Sequence, residues 1–267
     1  MQRFVISLSL AASMLLLSMM NPATAADWGH LSGQIVFDGP APVQKLLDIN
    51  KDVEFCMLTP PRDESIVVNP KNGGLANVAV WLELKTGTPL AIHPSYEALA
   101  LREVRAINKG CRFEPRITVL RTKQQLVLVN DDDVPHNMLA NLALNDPFNM
   151  ILSRHDSSKA PQLSRSERLP CEISCSIHSW MRGRLILKDH PYVAVTDAEG
   201  KFSIAQLPTG EWSFVFWHEQ VGFLSDLTIR GKPSKLEKAD KGKRVFKIDQ
   251  GQNDLGKITV APAVWGG

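Results

Sequence analysis

Three residues in one short segment combine the donor atoms of a soft-metal site. The segment is residues 175–181, and its first, fourth and seventh residues are Cys175, His178 and Met181. A thiolate, an imidazole and a thioether therefore lie close together in the chain. Two imidazoles and one thiolate in a trigonal plane, with a long axial thioether, form the donor set of a mononuclear blue-copper site. The segment supplies three of these four donors, and a second histidine must come from a neighbouring strand end.

His136 is the predicted second histidine. Residues 126–130 predict a strand, and residues 131–135 predict the turn that presents His136 at its end. We expect the Asn137 amide to hydrogen-bond to the backbone or hydroxyl of Ser176, which would hold the two ligand loops in register. The sequence therefore predicts one copper site built from two separate strand ends.

Short strands are the elements that must position these residues. Alternation of apolar and polar residues over four to eight positions, bounded by Gly, Pro, Asn and Asp, is typical of half-buried strands. The predicted strands are residues 34–37, 77–84, 116–121, 126–130, 184–188, 202–205, 212–217 and 244–248. Residues 96–104 predict the one short helix, and residues 230–243 predict a solvated loop. The pattern favours an all-β fold of the sandwich type.

The segments 126–138 and 175–183 resemble the cupredoxins. The resemblance is greatest to the amicyanin-like members, which share the Cys-x2-His-x2-Met spacing and a first ligand in a Pro-His-Asn context. It covers roughly residues 116–190 and implies a Greek-key β-sandwich that cycles one type 1 copper per chain between Cu(II) and Cu(I). The ligands it implies are His136, Cys175, His178 and Met181. It also implies a redox partner protein, such as a c-type cytochrome or a periplasmic dehydrogenase.

We predict three units along the chain. Residues 1–25 are a signal peptide, residues 26–190 a cupredoxin-like copper domain with an N-terminal extension, and residues 191–267 a smaller β-sandwich-like module. Within the last unit, residues 193–210 resemble the regulatory-like β module of carboxypeptidases, which implies a scaffold or interaction role.

The first 25 residues have the features of an export signal. A single basic residue, Arg3, precedes an apolar run over residues 4–20, and small residues end at Ala25, after which we expect cleavage. The alternative is an uncleaved anchor, although the apolar run is slightly shorter than the ~20 residues of a spanning helix. We expect a periplasmic protein with no later membrane span. Without Arg3 the chain has 29 basic and 28 acidic side chains, a balance that does not favour nucleic acid as a partner.

Export makes the four cysteines informative, because unpaired thiols are uncommon in oxidising compartments. We predict a bridge between Cys56 and Cys111, with Cys171 buried or free. Two alternatives involve Cys171 and Cys175: a bridge between them in a metal-free protein, or a two-copper site, since Cys-x3-Cys resembles the loop of cytochrome oxidase subunit II-like domains.

The leading functional hypothesis is an electron carrier that is not an enzyme. A copper oxidase or nitrite reductase needs further copper, commonly held by His-x-His pairs, and the sequence has no such pair. The alternatives are a copper-binding or copper-delivery protein and a metal-free structural protein. His218, beside Glu219, is predicted to be structural rather than a ligand. Residues 131–133 are predicted to be a solvated acidic turn rather than a patch that guides a basic partner.

Overall fold

The structure is a computed structural model that describes residues 27–85, 87–237, 240 and 242–265. The predicted signal peptide, residues 1–25, lies outside the described residues. Among the helices of the described part of the chain, none has the length and apolar character needed to cross a membrane.

Strands make up most of the regular structure. In chain order they are β1 (Trp28–Phe37), β2 (Ala79–Glu83), β3 (Val104–Asn108), β4 (Phe113–Glu114), β5 (Ile117–Arg121), β6 (Leu126–Asn130), β7 (His136–Ala140), β8 (Phe148–Leu152), β9 (Ser157–Lys159), β10 (Cys171–Ser174), β11 (Arg182–Lys188), β12 (Val193–Val195), β13 (Lys201–Pro208), β14 (Gly210–His218), β15 (Gly222–Phe223), β16 (Asp226–Ile229), β17 (Lys232–Lys235), β18 (Lys243–Ile248) and β19 (Gly251–Val260). Helix α1 spans Val53–Cys56, and 3-10 helices cover Pro94–Tyr96 and Pro262–Trp265. The predicted all-β fold class is confirmed.

The middle of the chain forms a β-sandwich of two sheets, here called the first sandwich. One of its sheets has the strand order β5-β11-β10-β7-β8 and the other has the order β4-β3-β6-β9. Side chains from both sheets, among them Leu128, Met138 and Leu185, are buried in one core. Strands β7 and β10, which carry the predicted ligand loops, are neighbours in the first of these sheets.

The two ends of the chain together form a second sandwich. Its sheets have the orders β13-β1-β19-β16-β17 and β12-β2-β14-β15, with β18 paired to β14. Strands β1 and β2 precede the first sandwich in sequence but pair with strands that follow it. The predicted domain boundary at residue 190 is therefore wrong for β1 and β2, because pairing between strands so far apart leaves no signal in the local sequence. The first sandwich is inserted into the second.

Strand β2 connects the two sandwiches because both of its faces are buried. Val78, Val80 and Leu82 point into the core of the second sandwich, as the alternation in the sequence predicts. The opposite face, with Ala79 and Trp81, packs against side chains of β5 and β11 in the first sandwich. The ligand-bearing sheet is thus supported from behind by the second sandwich.

Two predicted elements differ in the structure. The predicted helix at residues 96–104 is wrong: the short 3-10 helix is followed by turns, and β3 then pairs in parallel with β6. A segment this short has little intrinsic helical stability, and pairing with a buried strand outweighs it. Within residues 230–243, predicted as a loop, Lys232–Lys235 forms β17 by pairing with β16.

The long connection between β1 and β2 crosses the first sandwich near the ligand loops. Its residues Ile49, Phe55 and Cys56 pack against the core of the first sandwich. Cys56 forms a disulfide with Cys111 in the connection between β3 and β4, so the predicted pairing is confirmed. This connection therefore lies over one end of the first sandwich and is covalently fastened there.

Candidate metal centre

Sheet register brings the two ligand loops together. Strands β7 and β10 are antiparallel, with Ser174 opposite Leu139, so the end of β10 lies beside the start of β7. His136 is the first residue of β7, and Cys175 follows the last residue of β10. The loop that contains His178 and Met181 then leads into β11.

Three of the four predicted ligands converge in the structure. The donor atoms of His136, Cys175 and His178 all lie within 4.8 Å of one another, and all three residues are buried. The two Nδ1 atoms are 2.9 Å apart, and the Sγ of Cys175 is 3.9 Å from Nδ1 of His178. Both imidazoles have no solvent-accessible surface.

Met181 is held close to this group by its backbone. Its N–H donates to the carbonyl of His178 at 2.9 Å, and its carbonyl accepts from the N–H of Cys175 at 3.2 Å. The Met181 side chain is buried in the core of the first sandwich, the same core that contains Cys175. A backbone hydrogen bond between Cys175 and Met181 therefore joins the two ends of the loop.

The predicted link through Asn137 is confirmed. The Asn137 Oδ1 accepts from the N–H of Ser176 at 2.7 Å and from the N–H of Ile177 at 3.2 Å, while Nδ2 donates to the Ser176 hydroxyl at 3.4 Å. The Asn137 backbone N–H also approaches the Cys175 sulfur at 3.5 Å. One buried amide therefore fastens the His136 strand to the Cys175 loop.

Each imidazole also contacts a carboxylate through its outer nitrogen. Nε2 of His136 lies 2.8 Å from Asp132, and Nε2 of His178 lies 2.8 Å from Asp52. Asp132 is buried and also accepts the backbone N–H groups of Gly110 and Cys111. Burial raises the pKa of Asp132, but its hydrogen bonds outweigh that effect, and the net pKa is lowered.

These contacts determine which ring nitrogens face the centre as acceptors. An ionised carboxylate can only accept a hydrogen bond, so the Nε2 of each histidine must carry the proton that it donates. When a neutral imidazole carries its proton on Nε2, its Nδ1 has no proton and offers a lone pair. Here the Nδ1 lone pairs of His136 and His178 face each other beside the Cys175 sulfur. A cation relieves that arrangement. In the metal-free protein it is a proton on Nδ1, which an imidazole can also donate to the Cys175 sulfur, and a bound metal ion would take the place of that proton. The residues present therefore fit a bound metal.

Cys175 and Cys171 differ sharply in their protonation. Burial raises the pKa of the Cys175 thiol, but hydrogen bonds with His136, His178 and nearby backbone N–H groups outweigh it and lower the pKa to about 5. Burial, together with the negative charge of Glu167, raises the pKa of Cys171 to about 11. A thiolate is the form that binds metals, so the lowered pKa favours Cys175 over Cys171 as a ligand.

Cys171 is not placed to take part in the centre. Both Cys171 and Cys175 are free thiols. Cys171 is the first residue of β10, and at about 3.3 Å per residue the strand separates it from Cys175 by roughly 10 Å or more. That exceeds the distance that a disulfide spans. Neither the bridged form nor a two-copper site that includes Cys171 fits this geometry.

The other polar residues considered in the sequence have structural roles, with one exception. His218 is buried against the ring of Trp265, and Glu219 forms ion pairs with Arg116 and Arg184 between the two sandwiches. Asp132 is the exception, since the turn at residues 131–133 is not merely solvated but supplies the partner of His136. The position of Asp132 four residues before His136 was the sequence signal that could have indicated this contact.

The contact between Asp52 and His178 was not predicted either, and the local sequence contains no signal for it. Asp52 lies 126 residues from His178 in the sequence, and only the path of the β1–β2 connection brings the two together.

Fold and site together define an all-β protein with a buried centre of one thiolate and two imidazoles. No protein-family model matches the chain, and no curated protein matches it. Solved structures similar to part of it include a copper-containing nitrite reductase from Thermus scotoductus SA-01, 16% identical over 40% of this chain, with a TM-score of 0.29. This chain spans 25% of that enzyme.

Two cupredoxins are also similar to part of the chain. The purple cupredoxin from Nitrosopumilus maritimus is 18% identical over 33% of this chain and 99% of its own, with a TM-score of 0.27. A Cu(I) amicyanin variant is 10% identical over 32% of this chain and 82% of its own, with a TM-score of 0.29. At these identities and TM-scores the likenesses assign no function to this chain.

Proposed function

We propose that this protein is a periplasmic electron carrier with one type 1 copper per chain. The observation that carries the proposal is the buried convergence of the Cys175 sulfur with the Nδ1 atoms of His136 and His178. Sulfur and imidazole donors of this kind favour copper over the hard cations. Met181, at the end of the same loop, is the proposed axial ligand. Copper in this setting supplies a one-electron couple, Cu(II) to Cu(I).

The residues around the centre suit rapid one-electron exchange because they keep the ligands fixed. Asn137 fastens the two loops together, and Asp132 orients the His136 ring through its outer nitrogen. A donor set that cannot move has little rearrangement to undergo when the metal charge changes. Trp180 closes one side, 5.1 Å from the His178 ring.

Electron carriage requires a one-electron donor protein and a one-electron acceptor protein. A c-type cytochrome and a periplasmic dehydrogenase are the classes implied by the sequence resemblance, and we retain both as proposed partners. The complete burial of both imidazoles supports carriage over delivery, because a ligand set closed to solvent does not readily pass its metal to a chelator.

Two cysteine variants test the copper site. Purified protein loaded with Cu(II) is expected to bind one copper per chain and to show an intense thiolate-to-copper absorption band. Cys175→Ser is expected to lose that band because it removes the sulfur ligand. The matched control is Cys171→Ser, the same change at a buried thiol at the start of the strand that leads to Cys175, and it is expected to keep both the band and the copper.

Optical and EPR spectra with metal analysis decide between the alternatives. A colourless wild-type protein, or a band lost equally in both variants, would contradict the proposal. Two coppers sharing one unpaired electron would replace it with a dinuclear centre. Ready transfer of copper to a weak chelator would favour a delivery protein instead.

A further inference from the structure

The segment of residues 45–63, here called the cap, covers the outer edge of His178. The cap is a hairpin-like excursion closed at its base, where the N–H of Asp63 donates to the carbonyl of Lys45 and Leu46 bridges to Arg62. Its tip is helix α1, fastened to the first sandwich by the disulfide between Cys56 and Cys111. His178 is buried with the Asp52 carboxylate in contact with its Nε2.

Asp52 sits in a position that a local structural role does not explain. It precedes α1, where an aspartate ordinarily accepts hydrogen bonds from the first turn of its own helix. Here its side chain makes no such bond. Its backbone is also in the left-handed region, with φ of 47°, a conformation that few residues other than glycine, asparagine and aspartate adopt. The carboxylate is instead directed to His178, with an Nε2–oxygen distance of 2.8 Å.

The contact has two chemical consequences for the centre. It fixes the proton of His178 on Nε2, so that Nδ1 is the nitrogen presented to the metal. It also places a negative charge one imidazole away from the metal, which stabilises Cu(II) more than Cu(I). Asp132 does the same for His136, so both imidazoles are carboxylate-supported.

We propose that Asp52 is a positioning residue for the copper centre: it orients His178, closes that ring to solvent and lowers the reduction potential of the site. This inference rests on the proposed copper function.

Three variants test the role of Asp52. Asp52→Asn removes the charge but keeps an acceptor oxygen, and asparagine tolerates the left-handed backbone. Asp52→Gly removes the side chain and fits the same backbone. The matched control is Glu54→Gln, which removes one carboxylate from the exposed face of α1, two residues away.

The reduction potential of the copper-loaded proteins is the first measurement. In Asp52→Asn we expect the ratio of Cu(II) to Cu(I) affinity to fall roughly tenfold, a rise of about 59 mV for a one-electron couple. Glu54→Gln is expected to stay close to wild type, because an exposed charge is screened by solvent.

Exchange of the His178 ring proton in the diamagnetic Cu(I) form is the second measurement. By NMR we expect a slowly exchanging Nε2–H in wild type and in Asp52→Asn, and its loss in Asp52→Gly. A purely structural role for Asp52 would leave the reduction potential of Asp52→Asn unchanged, because asparagine keeps the shape of the side chain and its acceptor oxygen.

The outcomes separate this inference from the function on which it rests. Wild-type protein that fails to bind copper with a thiolate band overturns the proposed function and this inference together. The role of Asp52 alone is overturned by a different set of results. In that case wild-type protein binds copper normally, Asp52→Asn has the same reduction potential as Glu54→Gln, and the His178 ring proton still exchanges slowly in Asp52→Gly.

Discussion

Asn137 shows how one side chain coordinates two loops. Its Oδ1 satisfies two consecutive backbone N–H groups of the Cys175 loop, and its Nδ2 reaches Asn149 at 2.6 Å. Because the residue is buried, no solvent replaces these bonds if they are lost. The position of His136 relative to Cys175 therefore depends on this amide.

Replacement of Asn137 by alanine is expected to weaken Cu(II) binding by about 10- to 100-fold, the usual cost of losing a group that orients metal ligands. Competition with a chelator of known affinity measures the change. Asn149→Ala serves as the control, since it removes only an exposed partner of Nδ2 and leaves the Oδ1 contacts in place. Equal affinity in wild type and Asn137→Ala would show that the loops hold their register without it.

At the scale of elements, the cap depends on its covalent fastening. Its contact with the core of the first sandwich rests on a few side chains, and α1 has only four residues. A helix this short has no independent stability. The disulfide, which joins cysteines 55 residues apart, is therefore the strongest constraint on the place of Asp52.

The double variant Cys56→Ala/Cys111→Ala is expected to lose about 4 kcal/mol of unfolding free energy, from the loop that the bridge closes. Urea unfolding measures this loss. The reduction potential of the copper-loaded double variant is also expected to move toward that of Asp52→Gly, because loss of the disulfide releases the cap. The control is Cys171→Ala, which removes a buried thiol without opening a bridge. If Cys171→Ala loses as much unfolding free energy as the double variant, the closed loop is not the cause of the loss.

At the scale of the whole molecule, two buried histidines couple stability to pH: His218 at the end of β14 and His190 in the connection from β11 to β12. Burial, with a smaller contribution from the charge of Arg116, lowers the pKa of His218 to about 3, and burial lowers that of His190 to about 4. Below pH 6.5 the unfolded chain takes up protons at these sites while the folded protein does not. Their contribution to stability is therefore complete above pH 6.5 and is lost as the pH falls toward 4 and then 3.

His218→Phe is expected to reduce this pH dependence. Between pH 7 and pH 5, wild-type protein should lose about 2 kcal/mol more unfolding free energy than the variant, since each pH unit below 6.5 costs about 1.4 kcal/mol per buried neutral histidine. Urea unfolding at the two pH values measures the difference. His155→Gln, a change at an exposed histidine, is the control. Parallel pH profiles for wild type and His218→Phe would contradict the assignment.

The residues that converge at the candidate metal centre could be singled out from the sequence, but β7 and β10, the strands that position them, were not predicted. Cys175, His178 and Met181 lie within one loop, so their spacing alone restricts them to a common site. Strands such as β2 and β6 were also predictable, because alternation and turn residues are local signals. The bridge between Cys56 and Cys111 was predicted as the preferred pairing of the three cysteines that remain once Cys175 is assigned as a ligand.

Only the tertiary structure decided how distant segments combine. The pairing of β1 and β2 with strands after residue 190 depends on contacts between residues more than a hundred positions apart. The same holds for Asp52, whose carboxylate meets His178 only because the chain crosses the first sandwich and is bridged there. Local sequence encodes donors and strand patterns, whereas burial and long-range pairing determine which carboxylates face the imidazoles.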